Sequence, residues 1–439
     1  MTSVLASCVC RCRRHSSALT PTTVRWLSNE PAHADNSALA VQRARRAQAE
    51  AIRTQTRQGF LPTVSMDASY LRLDTSLLEN VPIPGSLFPP TLTRRDFGPI
   101  DGHVVGLQVV QPLLNLGAWN ARRQSHAQLE GATRVLGRAE NEVTLAVIES
   151  YFGARTAASR VTAERRGLAT AKRGLQQAEG AFREGLVPPV DVLLAQSRVS
   201  EMTARVALAE SGVVAAESLL GRVIGLHETP DLELLDPVPR PPRQVPRVPA
   251  PEVLEERNDL KALEEQVRAA EYGIDRARAA FVPDISLLGR YQQINGNQGF
   301  DFDESGWLVG VTLRWTPFAG FSQLGALDEA RAREQEALAQ LDDLRQQARV
   351  EARSAHADWQ AQLTGWDQAT AAVDYAAAAL KQTEGRYAEG LDDITTLLRA
   401  QAEDLAARTR EINARFNALI AAQRYRLAIA AGDLAQVKP

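Results

Sequence analysis

The sequence predicts a mainly α-helical, internally duplicated chain in which long helical hairpins carry four β-strands, each with one apolar and one polar face. Three observations lead there. One ordered pattern of motifs runs twice along the 439 residues. Each copy holds a proline-free stretch that, as a single helix of roughly 65 residues, would span about 100 Å. Four short segments alternate apolar and polar side chains with period two, the signature of strands with two unlike faces.

The duplication is read from matched residues. Ala49-Glu50, Gly59-Phe60-Leu61-Pro62 and Tyr70 recur as Ala270-Glu271, Ala280-Phe281-Val282-Pro283 and Tyr291, so that Phe281 follows Phe60 by 221 positions. Phe182-Arg183-Glu184-Gly185-Leu186, Leu193 and Ala195-Gln196 recur as Tyr387-Ala388-Glu389-Gly390-Leu391, Leu398 and Ala400-Gln401, 205 positions later. The shorter offset places an insertion in the first copy, and Leu73 to Asp101, with Pro82, Pro84, Pro89 and Pro90, is that insertion. The chain accordingly divides into an unassigned leader (1–26), a first repeat (27–225), a Pro-rich linker (226–251) and a second repeat (252–439).

The leader contains every cysteine: Cys8, Cys10 and Cys12. Avoidance of cysteine elsewhere is compatible with an oxidising compartment. The C-x-C-x-C run reads either as a soft-metal ligand set or as an unstructured leader. Val4 to Cys10 is apolar, but Arg11, Arg13 and Arg14 follow it, whereas a secretory signal has its charges first. Leu5-Ala6-Ser7-Cys8 fits a lipoprotein cleavage box with little sequence before it, which points to a replaced leader or a misplaced start. No stretch approaches the ~20 apolar residues of a spanning helix.

Each repeat then reads helix, strand, loop, strand, very long helix, glycine turn, long helix. In Thr63 to Tyr70 one face is Val64, Met66, Ala68 and Tyr70, and the other Thr63, Ser65, Asp67 and Ser69. Val105, Leu107 and Val109 mark the second strand. Ile285, Leu287 and Tyr291 mark the third, opposite Asp284, Ser286, Arg290 and Gln292. In Trp307 to Thr316 the apolar face is Trp307, Val309, Val311, Leu313 and Trp315, opposite Gly310, Thr312, Arg314 and Thr316. A face bearing Asp67, Arg290 and Arg314 is not a dry core. A face with Trp at both ends suits lipid, as in transmembrane barrels. A half-buried soluble sheet alternates in the same way and stays open. In lipid, four strands leave unpaired edges whose bare amides cost several kcal/mol each, so several chains would share one barrel.

The long helices run from about Trp119 to Arg183 and from about Gln323 to Tyr387. Leu129, Ala132, Leu136, Ala139, Val143, Ala146 and Ser150 step by three and four, a seam rich in small residues. An ordinary coiled coil has the same seam. Gly185 and Gly390 stop these helices, and proline-free helices follow near Val190 to Val223 and Ile394 to Ala430. Between the repeats, Asp236 to Pro251 is rich in Pro and Arg and reads as extended chain.

Composition narrows the function. A net charge of -3 with interspersed signs gives no basic bias toward nucleic acid. The six histidines show no ligand spacing, and no phosphate loop, zinc motif or nucleophile elbow occurs, so no catalytic, cofactor or metal site is expected.

The duplicated strand starts Gly-Phe-Leu-Pro and Ala-Phe-Val-Pro, the two aromatic-x-Glu-Gly-Leu tips, the Leu-Leu-x-Ala-Gln and Leu-x-Ala-Gln helices and their order resemble the TolC-like family of outer-membrane efflux proteins. The resemblance covers roughly Thr20 to Leu434. It implies a homotrimer with a shared twelve-stranded β-barrel in outer-membrane lipid and an α-barrel in the periplasm, the Pro-rich linker lying in an equatorial belt. Such a chain is a passive conduit of a tripartite efflux or type I secretion system, working with a periplasmic adaptor and an inner-membrane transporter. A soluble periplasmic coiled-coil scaffold is the alternative. By motif match the adaptor-contacting tips are Glu184, Gly185 and Leu186, and Glu389, Gly390 and Leu391, with Glu where the family commonly has an apolar residue. The entrance gate maps to Asp191, Tyr387, Asp392 and Asp393. Asp392 stands where the family's best-known member is basic, and rings of carboxylates at an entrance favour cations. The same aspartates read equally well as helix N-terminal carboxylates. Lipid-facing residues would be Val64, Met66, Tyr70, Trp307, Val309, Val311, Leu313 and Trp315.

Overall fold

A computed structural model describes residues 9–13, 22–25, 36–73, 100–226, 231–234, 240–297 and 303–429. The cleavage box at Leu5–Cys8 and the prolines of the first-repeat insertion lie outside these residues. The strands and helices in order are β1 (Val9–Arg13), β2 (Thr22–Arg25), α1 (Ser37–Gln55), β3 (Thr63–Leu73), β4 (Ile100–Leu114), α2 (Leu116–Arg183), α3 (Pro189–Val223), β5 (Asp231–Leu234), α4 (Pro251–Leu254), α5 (Asn258–Ala279), β6 (Asp284–Asn297), β7 (Asp303–Arg314), α6 (Ser322–Ala388) and α7 (Ile394–Ile429). No described helix is long and apolar enough to cross a membrane.

The chain forms two compact units. One comprises residues 1–47, 131–264 and 340–439, the other residues 48–130 and 265–339, so each draws on both repeats.

In the second unit, β3, β4, β6 and β7 form one antiparallel sheet in that order. The strand starts are built alike in both repeats. In the first, Gly59 sits so close to Ala118 that a Cβ would come within 2.3 Å of the Ala118 side chain. Phe60 stands edge-on to Trp119 at 5.4 Å, and its carbonyl accepts the Gln111 amide at 2.9 Å. In the second, the Phe281 carbonyl accepts the Trp315 indole N–H at 3.1 Å. A returning side chain thus ties down the same carbonyl twice. Pro112 has no N–H to give to a ladder, and the β4–β6 register shifts between Pro112 and Leu114. The fourth strand ends at Arg314, two residues short of the expected Thr316, and Pro317 stands three residues beyond it.

The first unit is helical with a small antiparallel sheet, β2-β1-β5, which gives part of the unassigned leader a strand structure. Its helices meet through small side chains. Trp359 and Tyr425 lie 5.6 Å apart over Ala418, Ala421 and Ala422, and Phe152 contacts Phe416 at 6.0 Å beside Leu419. At Gly167 a Cβ would come within 2.8 Å of the Met202 methyl. Of the seam on α2, Leu129, Val143 and Ser150 are buried and the other four are half-buried.

The Pro-rich linker has no helix or strand from residue 240 to 250. It is pinned by its backbone and arginines: the Tyr425 hydroxyl donates to the Arg247 carbonyl at 2.9 Å, and Arg243 pairs with Asp367 at 3.1 Å. Beside it, Arg257 is 1% exposed. Its guanidinium donates to Asp259 at 3.1 and 2.8 Å, to Glu351 at 2.9 Å and to the Ala428 carbonyl at 2.8 Å.

Candidate functional site

Both hairpin tips close by one backbone device. After α2, Gly185 takes φ 69°, its N–H bonds the Phe182 carbonyl at 3.0 Å, and the Leu186 N–H bonds the Ala181 carbonyl at 2.9 Å. After α6, Gly390 takes φ 75°, with Gly390 N–H to the Tyr387 carbonyl at 3.0 Å and Leu391 N–H to the Arg386 carbonyl at 2.9 Å. This six-to-one plus five-to-two pattern satisfies carbonyls that a helix end leaves bare, and it needs the left-handed residue. It also turns an apolar side chain outward: Leu186 is 72% exposed and Leu391 61%. Glu184 and Glu389 are exposed beside them.

The two tips differ in their side chains. In the first, α3 starts on Pro188-Pro189 with no side-chain cap, and Asp191 sits in its first turn. In the second, Asp393 caps α7: its carboxylate accepts the Thr396 N–H and the Thr395 hydroxyl, each at 2.8 Å. Those bonds from Thr396 and Thr395 hold the Asp393 carboxyl below the ordinary aspartate value. Asp392 accepts two parallel hydrogen bonds from Nε and Nη2 of the Arg386 guanidinium at 2.8 and 2.9 Å, and the hydrogen bonds and charge of Arg386 lower its pKa in turn. Asp392 is therefore a neutralised carboxylate and Asp393 a helix cap. Arg386 was missed in the sequence because it lies six residues before Asp392, on the far side of the glycine; the left-handed turn brings the two together.

Tyr387 is 7% exposed and packs with Ile394 and Leu397, the contact that holds α6 to α7 at the tip. Its hydroxyl is buried with no hydrogen-bond partner among the described residues. Burial, and then the negative charge of Asp191, push its pKa up. Two matched gate residues, Tyr387 and Asp191, are thus within electrostatic reach, and Asp392 and Asp393 share the next turn.

The sheet has the two faces the sequence predicts. Val64, Val109, Gly289 and Val309 fall in one row across the strands, and Tyr70 meets His103 at 5.1 Å. On this face Val64, Met66, Tyr70, Leu107, Tyr291, Val309, Val311 and Leu313 are exposed, and Trp307 reaches 79%. A continuous apolar surface of this kind marks contact with lipid or protein. Trp315 lies just beyond the strand, also exposed, with its indole N–H satisfied.

The sequence matches the family described as outer membrane efflux protein over residues 30–226 and 250–431. The chain belongs to this family. It is 27% identical to protein CyaE of Bordetella pertussis over 342 residues, covering 76% of this chain and 72% of that one. Over 173 residues it is 32% identical to outer membrane protein OprJ of Pseudomonas aeruginosa, covering 37% and 36% of the two chains. Its fold is that of the outer-membrane channel OprN (TM-score 0.75, 23% identity, 93% and 89% of the two chains) and of the Campylobacter jejuni CmeC outer membrane channel (TM-score 0.78, 18% identity, 93% and 86%). As an outer membrane efflux protein it is an outer-membrane channel component of an efflux or type I secretion system, with its helical part in the periplasm. The family consists of channel proteins, and membership sets aside the soluble-scaffold alternative.

Proposed function

We propose that three copies of this chain close one twelve-stranded barrel, four strands each, with Val64, Met66, Tyr70, Trp307, Val309, Val311, Leu313 and Trp315 against lipid. The observation that carries this is the open sheet. Among the described residues β3 and β7 are its outer strands, each paired on one side, while its apolar face is bare. Open edges are not tolerated in hydrocarbon, and pairing β7 of one copy with β3 of the next removes them. Cyclic symmetry makes the closure finite.

The conduit is passive. Solute enters at the hairpin tips and leaves through the barrel, driven by an inner-membrane transporter through a periplasmic adaptor. The adaptor meets the tips through Leu186 and Leu391, framed by Gly185, Gly390 and the carboxylates Glu184 and Glu389. The gate lies at Tyr387 and Asp191, whose charge reaches the buried phenol. Arg386 removes Asp392 from the entrance charge, and Asp393 is spent on its cap, so Asp191 carries most of any cation preference there.

The test is purification with and without detergent, followed by planar-bilayer recording. A detergent-dependent trimer that conducts is expected. A monodisperse, detergent-free monomer would end the barrel reading.

A further inference from the structure

The polar face of the sheet carries one feature that alternation does not require. Asp67 on β3 and Arg290 on β6 are two strands apart, separated by β4, yet Arg290 Nη2 lies 3.5 Å from Asp67 Oδ2. Adjacent strands are ~4.8 Å apart, so the two side chains must reach across the intervening backbone. They can because Gly106 stands directly opposite Asp67. A Cβ on Gly106 would come within 2.9 Å of both Asp67 carboxylate oxygens. The carboxylate lies on the bare backbone of β4, in the space a side chain would fill. The same row continues to Gln292 and Gly306, so two of its four positions have no side chain. Arg290 is only loosely held. Among the described residues its one ion pair is longer than a hydrogen bond, and its Nε is buried without a partner.

An exposed pair of this geometry contributes little to stability and separates easily. A guanidinium with spare donors takes a carboxylate or phosphate in a bidentate grip when one is offered. Asp67 then acts as a resident competitor: it masks Arg290 until a permeating anion displaces it.

We propose that Asp67 and Arg290 form a charge-exchange belt on the wall of the outer-membrane pore, a site for carboxylate- or phosphate-bearing solutes separate from the entrance. This rests on the barrel reading, in which the polar face lines the lumen and each copy contributes one pair. Within that lumen the belt is near neutral, and either partner alone gives it a sign.

The test is the reversal potential of Asp67→Asn and Arg290→Gln channels in a planar bilayer under a KCl gradient, with the detergent-stable oligomer as folding control. Three unmasked charges about 10 Å from the axis, screened at 0.1 M salt, change the chloride-to-potassium permeability ratio roughly fourfold. Asp67→Asn is expected to raise the ratio and Arg290→Gln to lower it. Gly106→Ala, which displaces the carboxylate without changing net charge, is expected to strengthen block by added citrate. Conducting variants with unchanged reversal potentials, and unchanged citrate block in Gly106→Ala, overturn the belt. Should a single variant fail to assemble, the remaining two decide. A parent chain that never conducts overturns the barrel reading itself, a distinct result.

Discussion

Replacing Arg257 with methionine should destabilise the helical unit by about 3 kcal/mol. The figure follows from what the guanidinium touches. Arg257 holds Asp259, Glu351 and the Ala428 carbonyl, residues from α5, α6 and α7, while itself 1% exposed. Removing one partner of a buried pair typically costs about 3–5 kcal/mol, because the remaining charge stays desolvated. The lower end applies here. Arg138 lies 3.8 Å from Asp259 and 3.9 Å from Glu351 and inherits part of the pairing. Burial alone would raise the Asp259 pKa, but the hydrogen bonds and charge of Arg257, with Arg138 behind, bring it below the ordinary value. A depressed carboxylate stabilises above its unfolded pKa of ~3.9 and loses that contribution as pH falls through the folded value. Without Arg257 the burial of Asp259 is less compensated, so the variant's carboxyl takes up a proton at higher pH than the parent's. The gap between parent and Arg257→Met should therefore be widest at neutral pH and shrink as the pH is lowered toward about 5 and below. Denaturation in detergent, followed by circular dichroism across that range, measures it. Adding Asp259→Asn and Glu351→Gln to Arg257→Met should recover most of the loss, since no charge is then stranded. A gap under about 1 kcal/mol, or a triple variant no better than the single one, refutes the reasoning.

Further outcomes are expected at the tips. Gly390→Ala and Gly185→Ala force a Cβ into φ 75° and 69°, and each should cost about 1 kcal/mol in the same melt. Arg386→Gln frees the Asp392 carboxylate and should raise the potassium-to-chloride permeability ratio; an unchanged ratio removes Asp392 from the entrance field. Tyr387→Phe deletes a hydroxyl that has no partner among the described residues, so stability should stay within about 1 kcal/mol while the open fraction in bilayer recordings rises. Because burial and Asp191 both raise the Tyr387 pKa, the phenol stays neutral and this effect should be independent of pH between 6 and 9, a range well below the ordinary tyrosine value of ~10. No rise in open fraction detaches Tyr387 from the gate.

What was legible in the sequence was local. Period-two alternation placed all four strands, and proline-free runs ending in glycine placed both hairpins, with ends only a few residues off. Each of these signals is set by neighbours along the chain. What was hidden depends on distant partners. Arg257 meets Glu351 and Ala428, which lie 94 and 171 positions away, and looks in the sequence like one more arginine among many. Asp67 and Arg290 were visible as polar-face residues, but their meeting depends on register and on Gly106 being opposite. Arg386 is hidden for a narrower reason: it precedes the glycine, and only the left-handed turn brings it back to the Asp392 that follows. The strands at Val9–Arg13 and Thr22–Arg25 gain their third member from Asp231–Leu234, a pairing no short-range pattern announces.

The duplication explains where such differences collect. The two repeats share their glycines, backbone turns and tethered Phe carbonyls, because a hairpin and a strand start tolerate few solutions. They diverge in the side chains those turns project. Arg386 and Asp392 correspond, 205 positions earlier, to Ala181 and Val187, and buried Tyr387 corresponds to exposed Phe182. The backbone of the second tip gains nothing from a charged clasp that the first does without. The clasp therefore fits a role in what passes the tip better than a role in forming it. The sheet follows the same logic: Gly106 adds no stability to β4, yet it is what lets a carboxylate reach an arginine two strands away. In both units the departures from the shared scaffold include charges facing water, which is where a conduit distinguishes its solutes.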